Sequence, residues 1–256
     1  MMELNLKSFL NFLTIAFLIE GCGMTDKPDL ASFPHKCQAV VIIDKTNSVS
    51  FTSRLPKLQQ EITNKLGDTY AAATKGVQSA HLIITGSTRV FPDYNYFRSA
   101  CPEGDEESRS FQQSLLNWKT EKRKWISEEV KQVVALIESP CNSNKTDIFP
   151  IFSGIQQAQK NNAPWDSVNI LIFSDMINTC APVNMLNEIT VSTAQEKGKR
   201  VCQSMIDQGQ ISKANTDKLY ITIYTPENMI KTALVSQFWK GFFGNWGLKE
   251  TQYHFE

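Results

Sequence analysis

Twice along this chain a run of branched and aromatic apolar side chains ends abruptly in a carboxylate: QAVVIID over residues 38–44 and VNILIFSD over residues 168–175. A strand with one wet face alternates apolar and polar residues, whereas an uninterrupted apolar run is expected of a parallel strand covered on both faces. Helical spacing lies between such runs. In LPKLQQEITNKLGDTYAAA, Leu55, Leu58, Ile62 and Leu66 fall on one stripe, which predicts an amphipathic helix. Strands alternating with helices of ten or more residues predict an α/β fold, a doubly wound, mainly parallel sheet with helices on both faces in three Rossmann-type layers.

The remaining elements fit that alternation. HLIITG reads as a strand, and STRVFPDYNYF as an aromatic-rich strand or ribbon whose proline suits a sheet edge. A charged helical region over 106–138 has lysines and glutamates suited to a solvated face. SPCNSNK is a loop by composition, and TDIFPIFSGIQQAQK is expected to begin a helix near Asp147 or Ile148, capped by a threonine or an aspartate. A helix over 189–207, a strand in KLYITIYT and a closing helix in NMIKTALVSQFWKGFFGNWG complete the series. Trp239, Phe242, Phe243 and Trp246 share one face of that last helix, which favours core contact with the sheet over an exposed aromatic patch. No internal repeat or low-complexity tract appears.

The 256 residues suffice for one substantial core. Apolar residues at 41% and charged residues at 20% exclude wholesale disorder. Lysine plus arginine, 26, equals aspartate plus glutamate, 26, so overall charge gives no reason to expect nucleic acid as a partner.

The N-terminus differs in kind. Lys7 precedes FLNFLTIAFLI, too short to span a bilayer comfortably but suited to the apolar core of a secretory leader. The run ends in LIEGC, which resembles a bacterial lipobox: Ile19 three residues before Cys22, small Gly21 before it, and Cys22 as the residue to be lipidated, with Glu20 departing from the pattern. The expected organisation is a lipoprotein signal peptide over residues 1–21, a polar tether over 22–36 and a folded domain over 37–250. That resemblance implies a lipid-anchored protein of the bacterial cell envelope, facing the periplasm or the exterior. Export would place Cys37, Cys101, Cys141, Cys180 and Cys202 in an oxidising compartment. Their spacing matches no zinc pattern, five leaves one thiol over, and the pairs expected from loop-rich surroundings are Cys180 with Cys202 and Cys101 with Cys141.

In an open parallel sheet, ligands bind outside the carboxyl ends of the strands, where the winding direction reverses. Asp44 and Asp175 sit at two such ends. If the DKTNS segment stays extended, a period of two sends Asp44, Thr46 and Ser48 to one side. A carboxylate with two hydroxyls is a set of hard oxygen ligands, which suits a small divalent cation at about 2.1 Å and neither zinc nor copper.

The order of DKTNS, then a threonine opening a helix in TDIFP, then an aspartate closing a strand in ILIFSD, resembles the von Willebrand factor A-type (VWA) domain with its metal-ion-dependent adhesion site. The resemblance covers about residues 37–245. It maps the family's DxSxS onto Asp44, Thr46 and Ser48, its second-loop threonine onto Thr146 and its third-loop aspartate onto Asp175. It implies Mg2+, or Mn2+ or Ca2+ in its place, bound directly by Thr46 and Ser48 and mostly through waters by Asp44 and Asp175. It further implies a protein partner whose acidic side chain completes the coordination sphere.

Each motif also has a plainer reading. Asp44 with Thr46 could form a helix cap, Asp147 competes with Thr146, and Asp175 with Ser174 could simply start a turn. A phosphoryl-transfer enzyme using Asp44 as nucleophile is one alternative function, although Thr46 stands where dehalogenase-like phosphatases need a second acid and no nucleotide phosphate loop is present. A metal-free scaffold recognising its partner through aromatics is another. His35, His81 and His254 are scattered and read as structural.

Overall fold

The structure is a computed structural model and describes residues 36–46, 49–51, 54–71, 76–84, 93–97, 101–140, 146–161, 166–226 and 232–256. The leader, Cys22, the tether up to residue 35, Ser48 and Cys141 lie outside the described residues. Pro34–Glu256 forms one compact unit.

Strands β1 (Lys36–Asp44), β2 (Gly76–Ile84), β3 (Asp93–Phe97), β4 (Ser167–Phe173), β5 (Leu219–Tyr224) and β6 (Tyr253–Phe255) make a six-stranded sheet in the order β3-β2-β1-β4-β5-β6. β1 pairs in parallel with β2 and β4, β4 with β5, and β5 with β6, while β3 is an antiparallel edge on β2. The chain winds outward from β1 to β3, crosses back to β4 and winds outward the other way to β6. The winding therefore reverses between β1 and β4. β6 follows residue 250, past the expected end of the domain, and three residues are too short a run to carry a strand signal in sequence.

Helices α1 (Leu55–Ala71), α2 (Arg109–Glu138), α3 (Phe149–Asn161), α4 (Val191–Asp207) and α5 (Thr232–Trp246) cover both faces. β1 shows why its sequence is continuously apolar: Val40 and Ile42 join a core with α3, α4 and α5, while Ala39, Val41 and Ile43 join a second core with α1 and α2. β4 divides likewise, Ile170 and Ile172 to the first core and Leu171 and Phe173 to the second. Leu58, Ile62 and Leu66, one turn apart, are the buried stripe of α1. None of the described helices is long and apolar enough to cross a membrane.

On α5, Trp239, Phe242, Phe243 and Trp246 are fully buried. Phe152 of α3 lies within 5.1–6.0 Å, centroid to centroid, of all four rings. Each such side chain contributes roughly 2–3 kcal/mol of transfer free energy, which makes this aromatic face a principal source of stability and removes it as an exposed recognition patch. α4 and α5 meet backbone to backbone at two glycines. A Cβ on Gly198 would stand 2.1 Å from Phe238 O, and one on Gly241 would stand 2.0 Å from Gln195 O.

Of the expected disulfides, Cys180 with Cys202 is not formed, and Cys101 with Cys141 involves a residue outside those described. Cys37, Cys101, Cys180 and Cys202 are free thiols. Cys202 is buried on α4, where its thiol meets the Asn245 side chain on α5, while Cys180 is half-buried in the loop after β4. Loop-rich surroundings said nothing about which way either side chain faces. Cys101 is likewise free.

Candidate cation site at the sheet switch point

Asp44 is the last residue of β1, and Ser174 and Asp175 directly follow β4. Because Ile43 is in register with Phe173, Asp44 and Ser174 come together at the carboxyl edge where the winding reverses. Asp44 is 2% exposed. Its Oδ2 accepts a hydrogen bond from Ser174 Oγ at 2.7 Å, and its Oδ1 accepts one from the Thr46 backbone N–H at 3.0 Å. The Thr46 side chain hydrogen-bonds it as well. Burial pushes the Asp44 carboxyl up to about 6, opposed by the Ser174 and Thr46 hydrogen bonds and reinforced by the negative charge of Asp175. The helix-cap reading of Asp44 fails, since α1 begins only at Leu55.

Asp175 is buried at the start of the loop after β4. Its Oδ1 accepts the Ile177 N–H at 2.9 Å, and Ser174 Oγ accepts the Met176 N–H at 2.9 Å, so both side chains do the turn-forming work expected of them. Met176 takes a left-handed φ of 56°, costly for a residue with a Cβ, and its carbonyl accepts the Trp239 indole N–H at 2.8 Å.

Thr146 is buried in the segment that leads into α3, and hydrogen bonds to Thr179 fasten that segment to the loop after β4. It does not cap α3. Asp147 accepts the Phe149 N–H, and Asn178 Oδ1 accepts the Ile148 N–H at 2.9 Å. Asp147 lines a cleft of about 410 Å3 with Phe149, Pro182 and, from α4, Ser204 and Met205. Its Oδ1 is buried without a partner, and burial pushes its carboxyl up against the opposing Phe149 hydrogen bond.

Asp44, Thr46 and Asp175 thus sit at one edge of the sheet, and Thr146 is on a segment bonded to the Asp175 loop. Ser48 lies outside the described residues. The donor set is two carboxylates with hydroxyls, all hard oxygen, and it fits a small divalent cation. Among the described residues no three His, Cys, Asp or Glu side chains group together as metal ligands would.

Sequence reasoning named Ser174 only as a turn residue, without its bond to Asp44, and missed Lys45, Asn178 and Thr179. Ser174 had a signal, a hydroxyl between the apolar run and Asp175. Lys45 had none: it is 4% exposed, and its ammonium donates to Ile137 O and Ser139 O at the carboxyl end of α2, fixing the residue between Asp44 and Thr46. Asn178 and Thr179 also carried no pattern that marks a buried hydrogen-bonding role. His254 is on β6 and bonds to Thr222 and Glu256, away from this edge.

No protein-family model matches the chain, and no curated protein matches it in sequence. Among solved structures it is similar to the human COPII-coat protein Sec24c, at 13% identity and a TM-score of 0.45, the match covering 80% of this chain and 28% of that one. It is also similar to proximal thread matrix protein 1 from the mussel byssus, at 11% identity and a TM-score of 0.32, covering 80% of this chain and 39% of that one. The chain accordingly matches well under half the length of either protein.

Proposed function

We propose that the chain is a VWA-type binding module that holds a divalent cation, Mg2+ by preference, at the switch point. Asp44, Thr46, Ser48, Thr146 and Asp175 are its ligands or hold the waters that are. The observation that carries this reading is the pair of strand-end carboxylates, Asp44 and Asp175. They lie at adjacent strand ends, close enough that the charge of one raises the pKa of the other. A doubly charged ion between two buried like charges relieves their repulsion and offsets the cost of their burial. When bound, the ion supplies an electrostatic docking point, and an acidic side chain of a partner protein completes its sphere.

The lipobox-like LIEGC supports placing this module at the bacterial envelope, tethered through a lipid on Cys22. Asp44 is poorly disposed to act as a phosphoryl acceptor. Both of its oxygens already accept hydrogen bonds, and it is 2% exposed.

The test is calorimetric titration of the protein with Mg2+ and Mn2+, beside Asp44→Ala and a generic phosphate ester assay. Saturable cation uptake that Asp44→Ala abolishes is the expected result. Absence of uptake by the wild type, or ester turnover that depends on Asp44, overturns the reading.

A further inference from the structure

Resting on that reading, we infer that Thr179 and Asn178 are positioning residues that deliver Thr146 to the cation site as part of the Asp175 loop. Thr146 and Asp175 lie on different crossovers, separated by all of α3 and β4, and neither belongs to a helix or strand. Irregular backbone of this kind is fixed only by the hydrogen bonds it finds. Here the two segments find each other. Thr146 N–H donates to Thr179 Oγ1 at 2.9 Å, and Thr179 N–H donates back to Thr146 O at 2.9 Å.

The neighbouring pair repeats the connection. Asn178 is fully buried, and its Oδ1 accepts Ile148 N–H at 2.9 Å while its Nδ2 donates to Cys180 O at 2.6 Å and Val183 O at 2.8 Å. Its backbone carbonyl accepts the Met185 N–H at 2.9 Å. The carboxamide thus uses both donor hydrogens and its acceptor oxygen, joining the start of α3 to a loop that it also holds in shape. Asp175 sits three residues upstream on that same loop, its own orientation fixed by Ile177 N–H. Asn178 and Asp147 do the capping of α3, which leaves the Thr146 hydroxyl with no duty in the helix start. Two ligands from separate crossovers arrive on one fastened unit, and the ordering of Thr146 is complete before any ion binds.

The experiment compares the full-length wild type with Thr179→Val, which keeps the shape but loses the hydroxyl, and Thr179→Ser, which restores it. Water-proton relaxation on adding Mn2+ alone reports affinity, and amide hydrogen exchange without metal reports the fastening. Thr179→Val is expected to bind Mn2+ about tenfold more weakly and Thr179→Ser within about twofold of wild type, as for partners that orient a metal ligand. The Thr146 amide of Thr179→Val exchanges faster in the metal-free protein, and the double variant with Thr146→Ala binds no more weakly than Thr146→Ala alone. Wild-type binding matched by Thr179→Val, or additive losses in the double variant, overturns the positioning role while leaving the cation site standing. No Mn2+ binding by the wild type overturns the cation site itself, and a ligand-positioning role falls with it.

Discussion

Ser174 Oγ stands 2.7 Å from Asp44 Oδ2 and at the same time accepts the Met176 N–H at 2.9 Å. One hydroxyl therefore joins the end of β1 to the loop after β4, as donor on one side and acceptor on the other. Ser174→Ala leaves a buried N–H and a buried carboxylate oxygen each short of a partner, and a loss of about 2 kcal/mol is expected. Urea unfolding of the two proteins measures it, and a change below about 0.5 kcal/mol in the stability derived from the midpoints would mean the bridge is dispensable.

If the proposed site takes up Mg2+, binding is expected to stabilise the fold. At a Mg2+ concentration about one hundred times Kd, the native state gains about 2.7 kcal/mol, a rise of roughly 5–10 °C in Tm for a domain of this size. Asp44→Asn and Asp175→Asn remove the rise, and potassium at equal ionic strength does not produce it. A melting series in Mg2+, with EDTA as control, decides the matter.

Lys122 on α2 is 5% exposed, with its ammonium 4.5 Å from the centroid of the Trp118 ring. Burial pulls its pKa down to about 8, against the opposing pull of the Cys37 and Cys101 thiols. Between that value and the ordinary lysine value the unfolded chain holds the proton and the folded chain does not, so stability rises with pH across this window. The expected gain from pH 7 to pH 9 is about 1 kcal/mol, absent in Lys122→Met. Chemical denaturation at the two pH values, wild type against variant, isolates the slope from other titrating groups.

Lys45→Met takes away the ammonium that caps the carboxyl end of α2 at Ile137 O and Ser139 O. The two carbonyls lose a charged donor, and a cost of about 2 kcal/mol follows. Faster amide exchange confined to the last turn of α2 distinguishes this loss from a general loosening.

Gly198→Ala drives a methyl into the Phe238 carbonyl and the Phe242 N–H, backbone atoms that cannot turn aside. The expected penalty is about 3 kcal/mol, or roughly 6–12 °C in Tm. Gly67→Ala, where nothing lies within 4 Å of the added carbon, is the matched control and should be neutral or slightly stabilising.

The fold was legible because its central strands are covered on both sides. β1 and β4 read as continuous apolar runs for the same reason that alternate residues of each enter two different cores. The buried aromatic face of α5 was legible too, because four large rings at helical spacing need a core to enter. β6 was not, since Tyr253–Phe255 is too short to show a period.

At the candidate site, Asp44 and Asp175 stand out in the sequence through the abrupt end of an apolar run. Ser174, Lys45, Asn178 and Thr179 act through hydrogen bonds that span up to 130 positions in the chain, and no local pattern encodes such a partner. The pairing of Cys180 with Cys202 failed for a related reason. Spacing along the chain is silent on the direction of a side chain, and Cys202 points into a helix contact.

The close approach of the two helices, Gly198 against Phe238 and Phe242 and Gly241 against Gln195, has a mechanical consequence. With no side chain between the backbones there, α4 and α5 approach more closely than any larger residue would permit. Neither helix can therefore gain a side-chain carbon at these contacts unless the two are levered apart along their whole shared length.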